Sequence, residues 1–154
     1  MINPRDYAIK LITIKDRTEK ELRDKLKAKN FDENRIEEEM EFLSNYGYIN
    51  DKRYAEHFTN DCISIKKWGK SRIRAELLHR GVDREIVENV IEDAFIDIED
   101  DRLYAEMEKR FKNADFSNMK ERSRIFNFYL RRGFSTEEIK GAMNRMSSFC
   151  DIED

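Results

Sequence analysis

The chain repeats itself, and the repeat leaves few folds open to it. Asn30-Phe31, Gly81-Val82 and Gly133-Phe134 each close a segment whose apolar residues stand four and eight positions back: Leu26 and Leu22, Leu77 and Ile73, Tyr129 and Ile125. A spacing of four keeps each pair on one face of a helix, and a glycine or asparagine just beyond it suits the left-handed residue that ends one. A Tyr-Ala pair opens an apolar segment upstream of each, at Tyr7-Ala8, Tyr54-Ala55 and Tyr104-Ala105. A third segment follows in each case: Ile36, Met40, Leu43; Ile86, Val90, Ala94; Ile139, Met143, Met146. The pattern predicts three tandem units of about 50 residues, each of three short helices and no strand. The boundaries fall at 1–48, 49–96 and 97–154, the last with a frayed C-terminal tail. A unit of this size buries too little surface alone, so the all-α repeats are expected to stack into an elongated, curved body.

Helix punctuation agrees with this division. Thr18-Glu19-Lys20-Glu21 and Ser135-Thr136-Glu137-Glu138 read as capping boxes, the hydroxyl covering an N3 amide and the glutamate reaching back to the cap amide. Tyr46-Gly47-Tyr48 marks a turn, after which Asn50 and Asp51 start a helix with the apolar stripe Tyr54, Phe58, Cys62, Ile65. The acidic segment Asp97–Asp101 is expected in the first turn of a helix rather than at a hinge, since carboxylates favour that end of the dipole. Tyr7, Tyr54 and Tyr104 are expected in the core, and Met1–Pro4 and Ser147–Asp154 are expected to fray. With 41% charged and 39% hydrophobic residues, one proline and five glycines, a large core or a sheet-rich fold is disfavoured.

Charge is balanced overall but not locally. Thirty Lys and Arg against 33 Asp and Glu give a net charge of −3, which argues against a purely electrostatic nucleic-acid binder. Yet the run KKWGKSRIR holds Lys66, Lys67, Lys70, Arg72 and Arg74, no acid, and the only tryptophan, Trp68. Uncompensated like charges point to an anionic partner, with Arg53 and Arg80 as further candidates. The plainer reading is a solvated helix start, in which Arg72 and Arg74 lie about 100° either side of Ile73 and Trp68 covers the joint between units. For Trp68 the structural role is favoured over base stacking. Arg80 and Arg131-Arg132 sit at equivalent helix ends, where their charge suits the dipole. Alanine at all five basic positions of the run is expected to leave the fold intact, since alanine favours helix.

Catalysis finds little support. Gly47, Gly69, Gly81, Gly133 and Gly141 are isolated and form no phosphate loop. His57 and His79 lack a ligand partner at a metal-binding spacing, and runs such as Glu37-Glu38-Glu39 read as solvated helix surface. No enzyme activity, metal or cofactor is expected. Cys62 on an apolar face and Cys150 in a polar tail read as reduced thiols. Without a leader-like or membrane-length apolar run, the expected place is the cytoplasm, with no membrane partner.

Arg17-Thr18-x-x-Glu21-Leu22 with Leu26, Tyr48-Ile49-Asn50-Asp51 with Arg53-Tyr54-Ala55, and Gly69-x-x-Arg72-Ile73-x-x-Glu76-Leu77 with Arg80-Gly81-Val82 resemble the successive signatures of the RecX family. The resemblance covers essentially the whole chain and is weakest in the third unit. Asn30 stands where a glycine is usual, and Trp68 lies within the basic run. The resemblance implies a non-enzymatic regulator built of three tandem three-helix repeats, and the chain is expected to be a monomer. Its implied partner is the RecA filament on single-stranded DNA, where it clamps neighbouring subunits in the groove and hinders recombination and the coprotease activity of the damage response. Weak direct DNA contact fits beside this. The alternatives are a freestanding helix-turn-helix DNA-binding module and, less favoured, a general helical scaffold.

Overall fold

Helix signals every few residues, with four-residue to eight-residue connections, give a chain that is helical wherever its pattern is strong. A computed structural model describes residues 2–152, with side chains through Ser147. Its helices are α1 (Pro4–Ile14), α2 (Glu19–Ala28), α3 (Glu33–Asn45), α4 (Asp51–Ser64), α5 (Lys70–His79), α6 (Arg84–Ala94), α7 (Arg102–Arg110), α8 (Met119–Arg131) and α9 (Thr136–Ile152). No strand occurs among the described residues.

The ends of the helices follow the turn residues. Asn30, Gly81 and Gly133 have φ of 63°, 90° and 95°, the left-handed conformation read from the repeat. After α5, the Val82 amide donates to Leu77 O at 3.1 Å and the Gly81 amide to Leu78 O at 3.0 Å. After α8, Phe134 and Gly133 repeat the pair on Tyr129 O and Leu130 O at 3.2 and 3.1 Å. These paired bonds satisfy carbonyls that would otherwise be orphaned. Ser135 and Glu138 form the reciprocal capping box of α9, each bond 3.1 Å. At the start of α1, Asn3 Oδ1 accepts from the Arg5 amide at 2.7 Å and Pro4 fills the first helical position. Asn3 and Pro4 are therefore a capped start rather than frayed chain. Of the expected C-terminal tail, α9 continues to Ile152; Glu153 and Asp154, like Met1, and the Cys150 side chain lie outside the described residues.

The residues pack as two compact units, residues 1–59 with 75–90 and residues 60–74 with 91–154. The core of the first holds Ala8, Leu22, Leu26, Ile36, Met40, Leu43 and Ile49. That of the second is centred on Tyr129, fully buried, whose ring meets those of Phe111, Phe128 and Phe134 edge-on at 5.8, 5.0 and 5.9 Å. The pairs Leu22 and Leu26, Ile73 and Leu77, and Ile125 and Tyr129 are all fully buried.

Four readings are corrected. On α6 the buried residues are Val87, Val90 and Ile91, while Ile86 and Ala94 are half-buried. An i, i+4, i+8 row drifts by about 40° per step, so the i, i+3, i+4 set holds the inward face better. On α7 Leu103 and Met107 point inward, Ala105 is exposed, and Tyr104, like Tyr7, is half-buried; of the three repeat tyrosines only Tyr54 is buried. On α4 the helix stops at Ser64, so Ile65 misses the stripe and is 73% exposed, while Ala55, Thr59, Cys62 and Ile63 turn inward. Asp97–Asp101 form a turn before α7, whose first turn has no acid. Turning there brings Arg102 to within 5.5 Å of the Phe95 ring.

Candidate partner-binding surface

In the second unit the C-terminal end of α8 meets the N-terminal end of α5. The left-handed Gly133 leaves the last carbonyls of α8 uncovered, and the orphan amides of α5 take them: Gly69 N–H to Arg132 O at 2.8 Å and Ser71 N–H to Gly133 O at 3.2 Å. The Arg72 guanidinium adds a bond to Arg131 O at 3.2 Å. A positive helix end is thus set on a negative one, and each supplies partners for groups the other leaves unsatisfied. The approach demands glycine: a Cβ on Gly69 would lie 2.4 Å from Gly133 O, and one on Gly133 2.4 Å from the Arg72 amide nitrogen. The first unit joins α2 to the end of α5 in the same way. Thr18, four residues before Leu22 as Gly69 is before Ile73, donates its hydroxyl to Arg80 O at 2.6 Å and accepts from the Glu21 amide at 3.2 Å.

The basic run is threaded through the joint of the second unit. Helix α5 begins at Lys70, so Lys66–Gly69 form a loop rather than a helix start, with Lys67 at a φ of 57°. Trp68, 8% exposed, donates its amide to Cys62 O at 2.9 Å, and its ring is covered by the Arg72 guanidinium at 4.0 Å and the Lys66 ammonium at 4.7 Å. The indole is a packing element against which two cations lie. Arg102 ties the loop from beneath, donating to Trp68 O at 2.7 Å and Ile63 O at 3.3 Å between the rings of Phe95 and Phe134. Burial lowers its pKa from the usual arginine value. Arg132 donates to Lys66 O at 2.9 Å. Lys66 and Lys70 are exposed even though the Lys66 ammonium lies over Trp68 and that of Lys70 lies 5.1 Å from the Phe95 ring centre, with exposed Arg131 on the adjoining helix end; Lys67, Arg72 and Arg74 are half-buried.

Arg53 and Arg80 belong to the first unit. Arg80 donates to the Tyr54 hydroxyl at 2.5 Å, lies 4.4 Å from the Phe58 ring centre and pairs with Glu76 at 3.8 Å. Burial alone would lower its pKa, but the Tyr54 bond and the fields of Glu21 and Glu76 raise it. It is a structural cation. Arg53 is exposed and donates to Gly47 O at 3.2 Å. The sequence reading missed Arg102 and gave Arg132 only a dipole role. Both act on backbone carbonyls, which no residue pattern displays. Because Arg72 also holds Arg131 O and covers Trp68, alanine at all five basic positions would remove structure along with charge, contrary to the expectation of an intact fold. Among the described residues no three His, Cys, Asp or Glu are grouped to hold a metal, and no helix is long and apolar enough to cross a membrane.

Residues 5–43, 50–91 and 97–143 match, in that order, the family models described as the first, second and third three-helix domains of RecX. The chain belongs to the RecX family. Among the similar RecX proteins, the regulatory protein RecX of Caldanaerobacter subterraneus is 32% identical over 140 residues, covering 91% of this chain and 68% of its own. That of Clostridium beijerinckii is 28% identical over 153 residues, covering 97% of this chain and 70% of its own. The crystal structure of RecX from Lactobacillus salivarius superposes with a TM-score of 0.71 at 25% identity, over 94% of each chain. A second RecX crystal structure, at 18% identity and a TM-score of 0.72, shares the fold.

Proposed function

We propose that this chain is a cytoplasmic, monomeric regulator of the RecA recombinase. Divided into three repeats near residues 48 and 96, the chain binds the RecA filament on single-stranded DNA and restrains strand exchange, ATP hydrolysis and coprotease activity. Membership of a family of regulatory proteins along nearly the whole chain supports the regulatory role. The observation that carries the surface assignment is the presentation of Lys66 and Lys70. Glycine contacts, the buried Trp68 and Arg102 hold the loop between them in one conformation, so two exposed cations are offered at little further entropy cost. A nucleoprotein filament presents phosphates and carboxylates to such a site. A net charge of −3 keeps the rest of the surface from binding polyanions indiscriminately.

Co-sedimentation with preformed RecA filaments tests this reading. The chain is expected in the pellet with filaments and in the supernatant with RecA alone under conditions that prevent filament growth. Its addition should slow ATP hydrolysis on single-stranded DNA. A chain that stays in the supernatant at all concentrations and leaves hydrolysis unchanged is not a filament regulator.

A further inference from the structure

Helix α3 in the first unit sorts its side chains by face. Arg35, Glu39, Phe42 and Tyr46 stand at i, i+4, i+7 and i+11 and share one stripe, whereas Glu37, Glu38 and Glu41 line a different groove with Glu19 and Arg23. On the first stripe the only carboxylate, Glu39, is 2% exposed and shared by two guanidinium groups, Arg5 at 2.8 Å and Arg35 at 3.8 Å. Arg53 adds a third cation beside the turn, bonded to Gly47 O between Tyr46 and Tyr48. Two guanidinium groups share this buried carboxylate and a third stands at the turn, with Glu38 on the flank of the stripe.

The same stripe carries aromatic rings. The Arg5 guanidinium lies 3.6 Å from the Phe42 ring centre, and that ring is 4.6 Å from Tyr46 and 6.4 Å from Tyr48. Tyr46 is 72% exposed and Tyr48 45%. A single exposed aromatic is ordinary. Phe42 lies beside both solvent-facing tyrosine rings, and with Arg5 over Phe42 and Arg53 at the Gly47 carbonyl the cluster forms a ready surface for flat π systems joined by phosphates. We propose that Phe42, Tyr46 and Tyr48, with Arg5, Arg35 and Arg53, form a stacking site for the bases of a single-stranded nucleic acid. The bases lie on the tyrosines and the phosphates face the guanidinium groups. The site stands in the first unit and uses no residue of the basic run.

The test is the fluorescence anisotropy of a labelled oligothymidylate about 20 nucleotides long, titrated with the whole chain. RecA is absent, so the result is independent of the filament reading. Tyr46→Ala and Tyr48→Ala are each expected to weaken binding about ten-fold, the usual worth of one base stack. Tyr46→Phe keeps the π face and should bind like the parent; Tyr46→Leu keeps apolar area without it and should bind like Tyr46→Ala. Arg53→Ala should reduce the salt slope by about 0.7, the single-strand value for one phosphate contact. Circular dichroism melts establish that each variant is folded, and the Phe and Leu variants decide the matter if Tyr46→Ala is not. Parent protein that fails to bind the oligonucleotide overturns the proposal. So does Tyr46→Leu binding as well as the parent, which would assign the rings to an apolar protein partner.

Discussion

Gly69 and Gly133 show what one missing methyl group decides. A Cβ on Gly69 would meet the carbonyl and following amide of Gly133 and Phe134, backbone atoms that cannot step aside as the tip of a side chain can. Gly69→Ala should therefore cost about 1–3 kcal/mol of stability, the range for overfilling a packed site. Gly141, in the middle of α9, has open space where its Cβ would be, and Gly141→Ala should gain about 0.5–1 kcal/mol from the smaller backbone entropy of the unfolded chain. Urea titrations with an unchanged m-value check both signs. Leu77, fully buried, gives the calibrating deletion: Leu77→Ala is expected to cost about 2–5 kcal/mol. At this scale the turn residues were legible because a left-handed backbone admits few residue types, and Asn30, Gly81 and Gly133 all stand where the pattern placed them. Arg102 was not legible, since its burial against two rings and two carbonyls depends on tertiary approach.

Among elements, the second helix of each repeat was the most legible and the first the least. The pairs on α2, α5 and α8 face inward because each helix is read back from a fixed end. On α4 and α7 no such mark sets the phase, and the shared Tyr-Ala pairs misled: Ala8 and Ala55 are buried but Ala105 is exposed. Capping between elements leads to a pH-dependent prediction. Asp51, the first residue of α4, accepts the Glu19 amide at the start of α2 at 2.9 Å. Burial raises its pKa above the ordinary carboxylate value; nearby Glu19 and Glu21 add to the rise, and the amide bond opposes it. For an acid, a raised folded pKa means that ionisation costs stability above that pKa and that the cost disappears on protonation. Asp51→Asn keeps an Oδ1 acceptor without the charge. It should be slightly more stable than the parent near about pH 7, and the gap should close as pH falls through the raised pKa of Asp51 toward the ordinary carboxylate value. Thermal midpoints across that range are the measurement; a gap that widens on acidification would mean that ionised Asp51 stabilises the joint.

For the whole molecule, a slightly acidic chain proposed to meet a polyanion would have to concentrate its attraction locally, and within the basic run the cations differ in how far packing holds them. Lys66 and Lys70 are exposed, each with its ammonium near one ring, Trp68 at 4.7 Å and Phe95 at 5.1 Å, while Arg72 closes the joint and Trp68 and Arg102 hold the loop. The sequence showed where positive charge collects but not this division, because equal charges in one run differ only in what tertiary structure sets beside them. The paired change Lys66→Ala and Lys70→Ala removes two exposed cation–ring contacts and should therefore cost no more than about 1–2 kcal/mol of stability. It should still lower filament association and flatten its salt dependence, since long-range attraction is screened over about 8 Å at physiological ionic strength. Arg72→Ala should do the reverse in part. It loses the bond to Arg131 O and uncovers Trp68, so the melt falls and tryptophan emission shifts to the red as the indole meets water. Comparing the two variants by co-sedimentation at matched folded fraction separates charge from architecture. If the lysine pair binds filaments as tightly as the parent and with the same salt slope, the run serves the joint alone and the filament is met by another face.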